Sequence, residues 1–346
     1  MHNQVPGTPI VSVIIATYNS ARYVEAAVRS ALHQSLEEIE VIIVDDCSSD
    51  ETMAILKRLA AHNKRILIDR LPSNQGPAGA RNRAIAMARG QWIAVLDSDD
   101  MFKPDRLEHL IAVANREGAD VIVDELILFD DEEPMSAALF LGRETLAGWR
   151  SLVDYLRSTI MYGKSANLGY LKPVVRLEPL RAAGISYNEK LRIAEDDDFI
   201  VRILLSGMRY WLEPTPGYAY RRHAASISHR LSVSDATVMK HSSEQLMAEV
   251  STNLSADVLG AFGDRHAAIE RAQAFSCFID ALKARNPFQA AGIAIQSPGL
   301  IGLLHMPAGA ALGRLRSRWL PPAPKPVDSA AAASLARLLT VTQPSE

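Results

Sequence analysis

Residues 11–50 read VSVIIATYNSARYVEAAVRSALHQSLEEIEVIIVDDCSSD, and this run decides the fold. Val11–Ala16 is continuous, apolar and rich in β-branched residues, the pattern of a strand covered on both faces. Val24, Ala27, Val28, Ala31 and Leu32 then recur along one helical stripe. Glu40–Val44 repeats the buried-strand pattern. A strand, a helix and a second buried strand predict a parallel pair joined by a right-handed crossover.

The same alternation continues outward. A helix is expected over Glu51–Ala61, a shorter strand over Arg65–Asp69, and a helix over Ala78–Arg89 closed by Gly90. Trp92–Leu96 reads as a strand, Pro104 as the first-turn residue of a helix, and Ala119–Val123 as a further strand. The class is α/β, a doubly wound and mostly parallel sheet. Such sheets bind ligands beyond the carboxyl ends of their strands. Three of those ends carry polar clusters: TYNS at 17–20, DDCSSD at 45–50 and DSDD at 97–100.

Asp97, Asp99 and Asp100 repel one another unless something positive lies among them. A divalent cation bridging a diphosphate would answer that, since Mg²⁺ and Mn²⁺ take hard oxygen ligands and share them with phosphates. The plainer reading is a loop whose acids cap the helix after Pro104. Asp45 and Asp46 end a buried strand, where an acid can accept from a nucleobase N–H or a ribose hydroxyl. Ser49 and Asp50 suit capping of the next helix. In NQGPAGARN (74–82), Gly76 and Gly79 permit a tight turn into a helix with Arg81 in its first turns, a natural phosphate site. Arg83 and Arg89 read as solvated.

Bulk composition narrows the setting. The chain has 346 residues, 48% hydrophobic and 22% charged, with a net charge of −3, so it carries no general pull toward nucleic acid. Cys47 and Cys277 build no disulfide framework and have no metal spacing. The opening MHNQVPGTPI lacks a basic segment followed by an apolar one, and the expected location is cytoplasmic.

Taken in order, VSVIIATYNS, VIIVDDCSSD, N-x-G-x-x-x-A-R-N and a strand ending in DSDD resemble the family 2 glycosyltransferases of GT-A fold across residues 10–125. The likeness extends more loosely through LRAAGISYNEKLRIAEDDDFIVRILLSG (180–207), similar to the family's acceptor-side segment. Cys47 stands where the family usually has Gly, and Ala16 replaces a commoner Thr or Pro. The overall layout is similar to that of bacterial succinoglycan-type enzymes. The resemblance implies that Tyr18 and Asp46 contact the base of a nucleotide sugar, that Arg81 lies on its ribose–phosphate side, and that Asp97 and Ser98 also face the donor. Asp97 and Asp99 would form the metal motif, with Asp99 the direct ligand of Mn²⁺ or Mg²⁺, and Asp196 would be the catalytic base. The plainer reading of Glu195–Asp198 is a set of acids favoured by a helix N-terminus. His223, in a Tyr-x-x-His stretch, reads either as a surface histidine or as a group near the donor phosphates.

The implied activity is inverting, non-processive transfer of a hexosyl residue from a UDP-sugar, UDP-glucose in the first instance, to a lipid-linked saccharide in exopolysaccharide assembly. No Q-x-x-R-W motif and no flanking membrane spans accompany it. Two other classes stay open. A haloacid-dehalogenase-type phosphatase also uses D-x-D, though on its first strand. A silent nucleotide-sugar-binding module would need Asp46 and Asp99 but not Asp196.

The expected organisation is a GT-A domain over 1–230, with a nucleotide-sugar half (10–125) and an acceptor-side half (126–230). A helical extension (231–320) and a flexible tail (321–346) follow. Asn286–Gly313 contains no Asp, Glu, Lys or Arg, and Arg314, Arg316, Arg318 and Trp319 come next. Pro298 and Pro307 argue against a straight membrane span. The residues read as a peripheral contact over 286–319 with the inner face of the plasma membrane, or as a buried helical pair.

Overall fold

Val11, Val13, Ile14 and Ile15 are fully buried because their strand lies inside the sheet with helices on both faces. The computed structural model describes residues 7–131, 136–163, 165–223, 231–250, 254–303 and 328–342. The expected alternation is present as β1 (Val11–Thr17), α1 (Val24–Leu32), β2 (Ile39–Asp45), α2 (Thr52–His62), β3 (Ile66–Arg70), α3 (Gly76–Met87) and β4 (Trp92–Val95). These strands pair in parallel in the order β3-β2-β1-β4. All three polar clusters therefore emerge at one edge of the sheet.

After β4 come β5 (Met101–Phe102), α4 (Arg106–Glu117), β6 (Val121–Asp130), β7 (Ala138–Leu139), β8 (Gly148–Arg150) and α5 (Leu152–Ser158). The short β5, unforeseen in the sequence, pairs antiparallel with a later strand, and α4 begins two residues beyond Pro104. Next are a 3-10 turn at Leu168–Tyr170, β9 (Val174–Arg176), α6 (Leu177–Ala182), α7 (Glu195–Leu205) and β10 (Tyr210–Arg222). The sheet continues β4-β9-β6-β10-β5. β9 runs antiparallel to both neighbours, while β10 is parallel to β6 with a register shift between Glu213 and Tyr218. The long pairings are parallel and the antiparallel ones short. β6 crosses the boundary expected at 125, so the two expected halves share one sheet.

By its internal contacts the chain forms two units. The first holds the sheet and residues 327–346; the second holds residues 153–167 and 227–326. In the second, α8 (Val233–Val250), α9 (Ala256–Lys283) and α10 (Pro287–Gln296) follow in sequence, and α9 packs on both others. Phe262, Ile269, Ala268 and Ala272 of α9 are buried. Ser255 and Asn286 cap α9 and α10 by accepting from Val258 and Gln289 backbone N–H groups. Among the described residues no helix is long and apolar enough to cross a membrane. Residues 304–327, and with them much of the 286–319 segment, lie outside the described residues.

The expected flexible tail needs correction. Ser329–Thr342 forms a helix, α11, that belongs to the sheet-bearing unit. Leu335 and Leu338 are 1% and 2% exposed, packed in one cluster with Met101, Ile127, Phe129, Ala137 and Ala219. Asp328 anchors its start, accepting from Ala330 and Ala331 N–H and pairing with Arg143. An alanine-rich stretch has high helix propensity, and two buried leucines give it a place to dock.

Candidate active site

The loop after β1 presents Tyr18 at 49% exposure, its ring available for stacking. Next to it Asn19 takes φ +49 and its side-chain Oδ1 accepts from Ser49 N–H at 2.8 Å, tying the β1 and β2 ends together. Cys47 stands at φ +66, in the region that favours glycine. Asp46 is buried, and its two oxygens accept from Gln75 N–H at 2.6 Å and Gly76 N–H at 2.8 Å. It thus clamps the start of α3, where Gly76 turns at φ +82. Burial raises its pKa against the pull of those two N–H groups.

The positive charge called for by the DSDD cluster comes from two places. Arg81, from α3, donates to Asp97 Oδ1 at 2.7 Å and to Glu195 Oε1 at 2.7 Å, and lies 3.2 Å from Asp196 Oδ1. Lys172, just before β9, places Nζ 2.8 Å from both Asp97 Oδ2 and Asp196 Oδ2. Burial would push the Asp97 carboxyl up, but Lys172 and Arg81 outweigh it and hold it well below the usual range. Burial disfavours the charge on Lys172, yet Asp196 and Asp97 hold its ammonium well above the ordinary value. Glu195 moves the other way, raised by burial and then by neighbouring Asp196. Two cations thus face three carboxylates.

The three DSDD acids have different surroundings. Asp100 is buried, accepting from Tyr218 O–H at 2.8 Å and Arg221 N–H at 2.7 Å. Burial, then Asp99 and Asp97, raise its pKa well above the ordinary value. Tyr218 O–H in turn accepts from Asp97 N–H at 3.1 Å. Asp99 is the more open acid, its side chain 31% exposed, with Oδ2 2.8 Å from His223 Nε2. His223 stacks on Tyr23 with ring centroids 4.9 Å apart, and its buried Nδ1 has no hydrogen-bond partner among the described residues. A carboxylate and an imidazole in contact form a donor pair that fits Mn²⁺, which takes oxygen and nitrogen alike. Among the described residues no three or more His, Cys, Asp or Glu side chains are placed to hold a metal ion, and the remaining ligands would be water and phosphate oxygens. Both oxygens of Asp97 already face cations, which favours Asp99 over Asp97 as the metal contact.

The structure therefore brings Arg81, Asp97 and Asp196 into one network, and sets Asp99 against His223. Ser98 Oγ lies 2.8 Å from Ser20 Oγ, linking DSDD to the β1 loop. Asp196 sits in the first turn of α7, which starts after Ala194 at φ +62. A non-glycine residue there costs of order 1–3 kcal/mol, and such strain gathers at functional sites. Arg83 and Arg89, read as solvated, pair with Asp69 and Glu40. Lys172, Tyr218 and Arg221 were missed. Only the position of Lys172 within an apolar run ahead of a strand could have drawn notice.

The Glycosyl transferase family 2 model matches residues 12–138. The succinoglycan biosynthesis protein ExoO of Rhizobium meliloti (strain 1021) is 34% identical over 315 residues, covering 91% of this chain and 89% of that protein. The chain belongs to glycosyltransferase family 2. The succinoglycan biosynthesis protein ExoU of the same strain is 36% identical over 228 residues, 64% of this chain and 65% of its own. Among solved structures, S. aureus TarS 1–349 with UDP-GlcNAc aligns with a TM-score of 0.57 at 21% identity, covering 82% of this chain and 90% of that one. The mannosyltransferase PcManGT from Pyrobaculum calidifontis, in complex with GDP-Man and Mn²⁺, aligns at 0.57 and 16%, covering 97% and 87%. This glycosyltransferase shares their GT-A fold.

Proposed function

We propose that this glycosyltransferase moves one hexosyl residue per turnover from a UDP-sugar, UDP-glucose, to a lipid-linked saccharide in exopolysaccharide assembly, with inversion. The observation that carries the reading is an open Asp99–His223 donor set beside a buried carboxylate, Asp196, which Lys172 bridges to Asp97 of the same DSDD loop. Tyr18 would stack on the base, Asp46 would hold the start of α3 against it, and Ser98 would face the donor. Asp99 with His223 would hold Mn²⁺ or Mg²⁺. Such a cation offsets charge growing on a leaving diphosphate.

Asp196 would take the proton from an acceptor hydroxyl as its oxygen attacks the anomeric carbon opposite the diphosphate. The carbon–phosphate-oxygen bond breaks, and UDP leaves with the electron pair. One base without a protein nucleophile gives a β-linkage from an α-linked donor. Arg81 is held by three carboxylates and so acts as a keystone of the site rather than as a free phosphate ligand.

The test is a screen of nucleotide sugars by thermal shift and UDP release, with and without Mn²⁺, because a ligand at free concentration L that binds only the folded chain stabilises it by RT ln(1 + L/Kd). UDP-glucose should raise the melting temperature only with the cation and should release UDP. Stabilisation by GDP-mannose alone would reassign the donor. Binding without release under any condition would favour a silent module, and phosphate release from an aryl phosphate a phosphatase.

The reading includes work at the inner face of the plasma membrane, where a lipid-linked acceptor resides. In support, Phe288 and Ile295, seven apart on α10, are 89% and 80% exposed. Between residues 281 and 327 the sequence carries Lys283, Arg285, Arg314, Arg316, Arg318 and Lys325 and no acid, which suits an anionic surface. The chain should float with anionic but not neutral liposomes, and a Phe288→Asp/Ile295→Asp variant should float less. Failure of the full chain to float removes the membrane from the reading.

A further inference from the structure

Lys172 is rooted at the middle of the sheet. The carbonyl of Pro173 accepts from Val95 N–H at 3.1 Å, which fixes the backbone to β4. The carbonyl of Lys172 itself accepts from Arg106 Nη2 at 2.8 Å, and the same guanidinium pairs with buried Asp124 on β6. The lysine stem thus rises from a point pinned to two central strands and to the start of α4. Its ammonium ends equidistant from one oxygen of Asp97 and one of Asp196. Asp97 stands on the loop leaving β4, and Asp196 on the first turn of α7.

Removing that charge leaves Asp97, Glu195 and Asp196 around Arg81 alone. Buried like charges then repel, and Asp196 in the first turn of α7 loses the nearer of the cations facing it. Fold stability gives a weaker reason for the lysine. Buried ionic clusters replaced by apolar side chains of similar size are often as stable as the original. A compact point charge with three rotatable donors suits two oxygens from different elements better than a planar guanidinium fork would.

We propose that Lys172 is the positioning residue for Asp196, setting where that carboxylate stands relative to Asp97 and so to the bound donor. This rests on the reading of Asp196 as the base. The consequence is a division of effects. Donor affinity depends chiefly on Asp99, His223 and the β1 and β2 loops, and Lys172 reaches the donor side through Asp97. Turnover depends on where Asp196 points, which Lys172 governs.

The experiment measures UDP release from the preferred UDP-sugar, together with UDP affinity in Mn²⁺, for Lys172→Met, Lys172→Arg, Asp196→Asn and Lys172→Met/Asp196→Asn in the full chain. Lys172→Met should lose roughly 10- to 100-fold in kcat with the donor KM and UDP affinity within about threefold of wild type. Lys172→Arg should recover part of the loss. The double variant should be no slower than Asp196→Asn alone, because Lys172 acts through Asp196. Full kcat in Lys172→Met, or donor affinity lost in step with kcat, overturns the proposal while leaving the base intact. An active Asp196→Asn overturns the reading of the base itself, and the proposal with it. Should Lys172→Met not fold, Lys172→Arg decides: lower kcat at unchanged KM supports the role, and wild-type kcat refutes it.

Discussion

Asp196→Asn should lose at least ~10²-fold in turnover while binding a UDP-sugar as the native chain does. Asparagine keeps the size of the side chain and one oxygen acceptor but cannot take a proton. The surroundings make the result specific. Lys172 and Arg81 face the two Asp196 oxygens at 2.8 and 3.2 Å, so the substitution leaves two cations short of a carboxylate. Part of the rate loss would then reflect rearrangement of the network, which the unchanged donor affinity separates from a general collapse. Asp198 already pairs with Arg202 on the same helix, so Asp198→Asn should be milder. Steady-state kinetics with UDP titration calorimetry decides. An Asp196→Asn enzyme with native turnover, beside an inactive Asp198→Asn, would mean the base had been assigned to the wrong acid.

The second large effect is expected at Asp99. Asp99→Ala should abolish the Mn²⁺-dependent part of UDP binding, and His223→Ala should weaken it less, because the open carboxylate supplies the charge. Stability without ligand should change little or rise. After burial, Asp99 is the main influence raising the pKa of Asp100, so its removal relieves a repulsion between neighbouring carboxylates. Calorimetry with and without Mn²⁺, paired with thermal melts, gives both halves. Undiminished Mn²⁺-dependent affinity in Asp99→Ala would take Asp99 out of the metal contact.

What could be read from the sequence was whatever repeats locally. β1, β2 and β4 are covered on both faces, so most positions are apolar, and the strands announce themselves. Their polar ends follow from the same topology. Contacts made only by folding stayed out of reach. The partners of Lys172 lie at 97 and 196, far off in sequence, and a single lysine has no period to betray it. Asp46 was legible as a polar strand end but not as a clamp, because its partners are backbone N–H groups of Gln75 and Gly76, which carry no side-chain signature. α11 was read as tail because prolines precede it and its alanines suit loose chain as well as helix. Its burial depends on a patch assembled from Met101, Ile127, Phe129 and Ala219.

That last helix has a bearing on how the protein comes into being. The strands that α11 covers are finished at Arg222, but α11 itself begins at Ser329, after the whole second unit has been made. At roughly 5–20 residues per second on the ribosome, the gap amounts to about 5–20 s. Throughout it the apolar patch of the sheet-bearing unit stands open on a nascent chain. A helper that shields such surfaces, or slow local elongation that lets the second unit settle first, would act within this interval. Message truncated before codon 329 would yield a sheet that pairs its strands yet keeps a hydrophobic face, a substrate for quality control rather than a smaller enzyme.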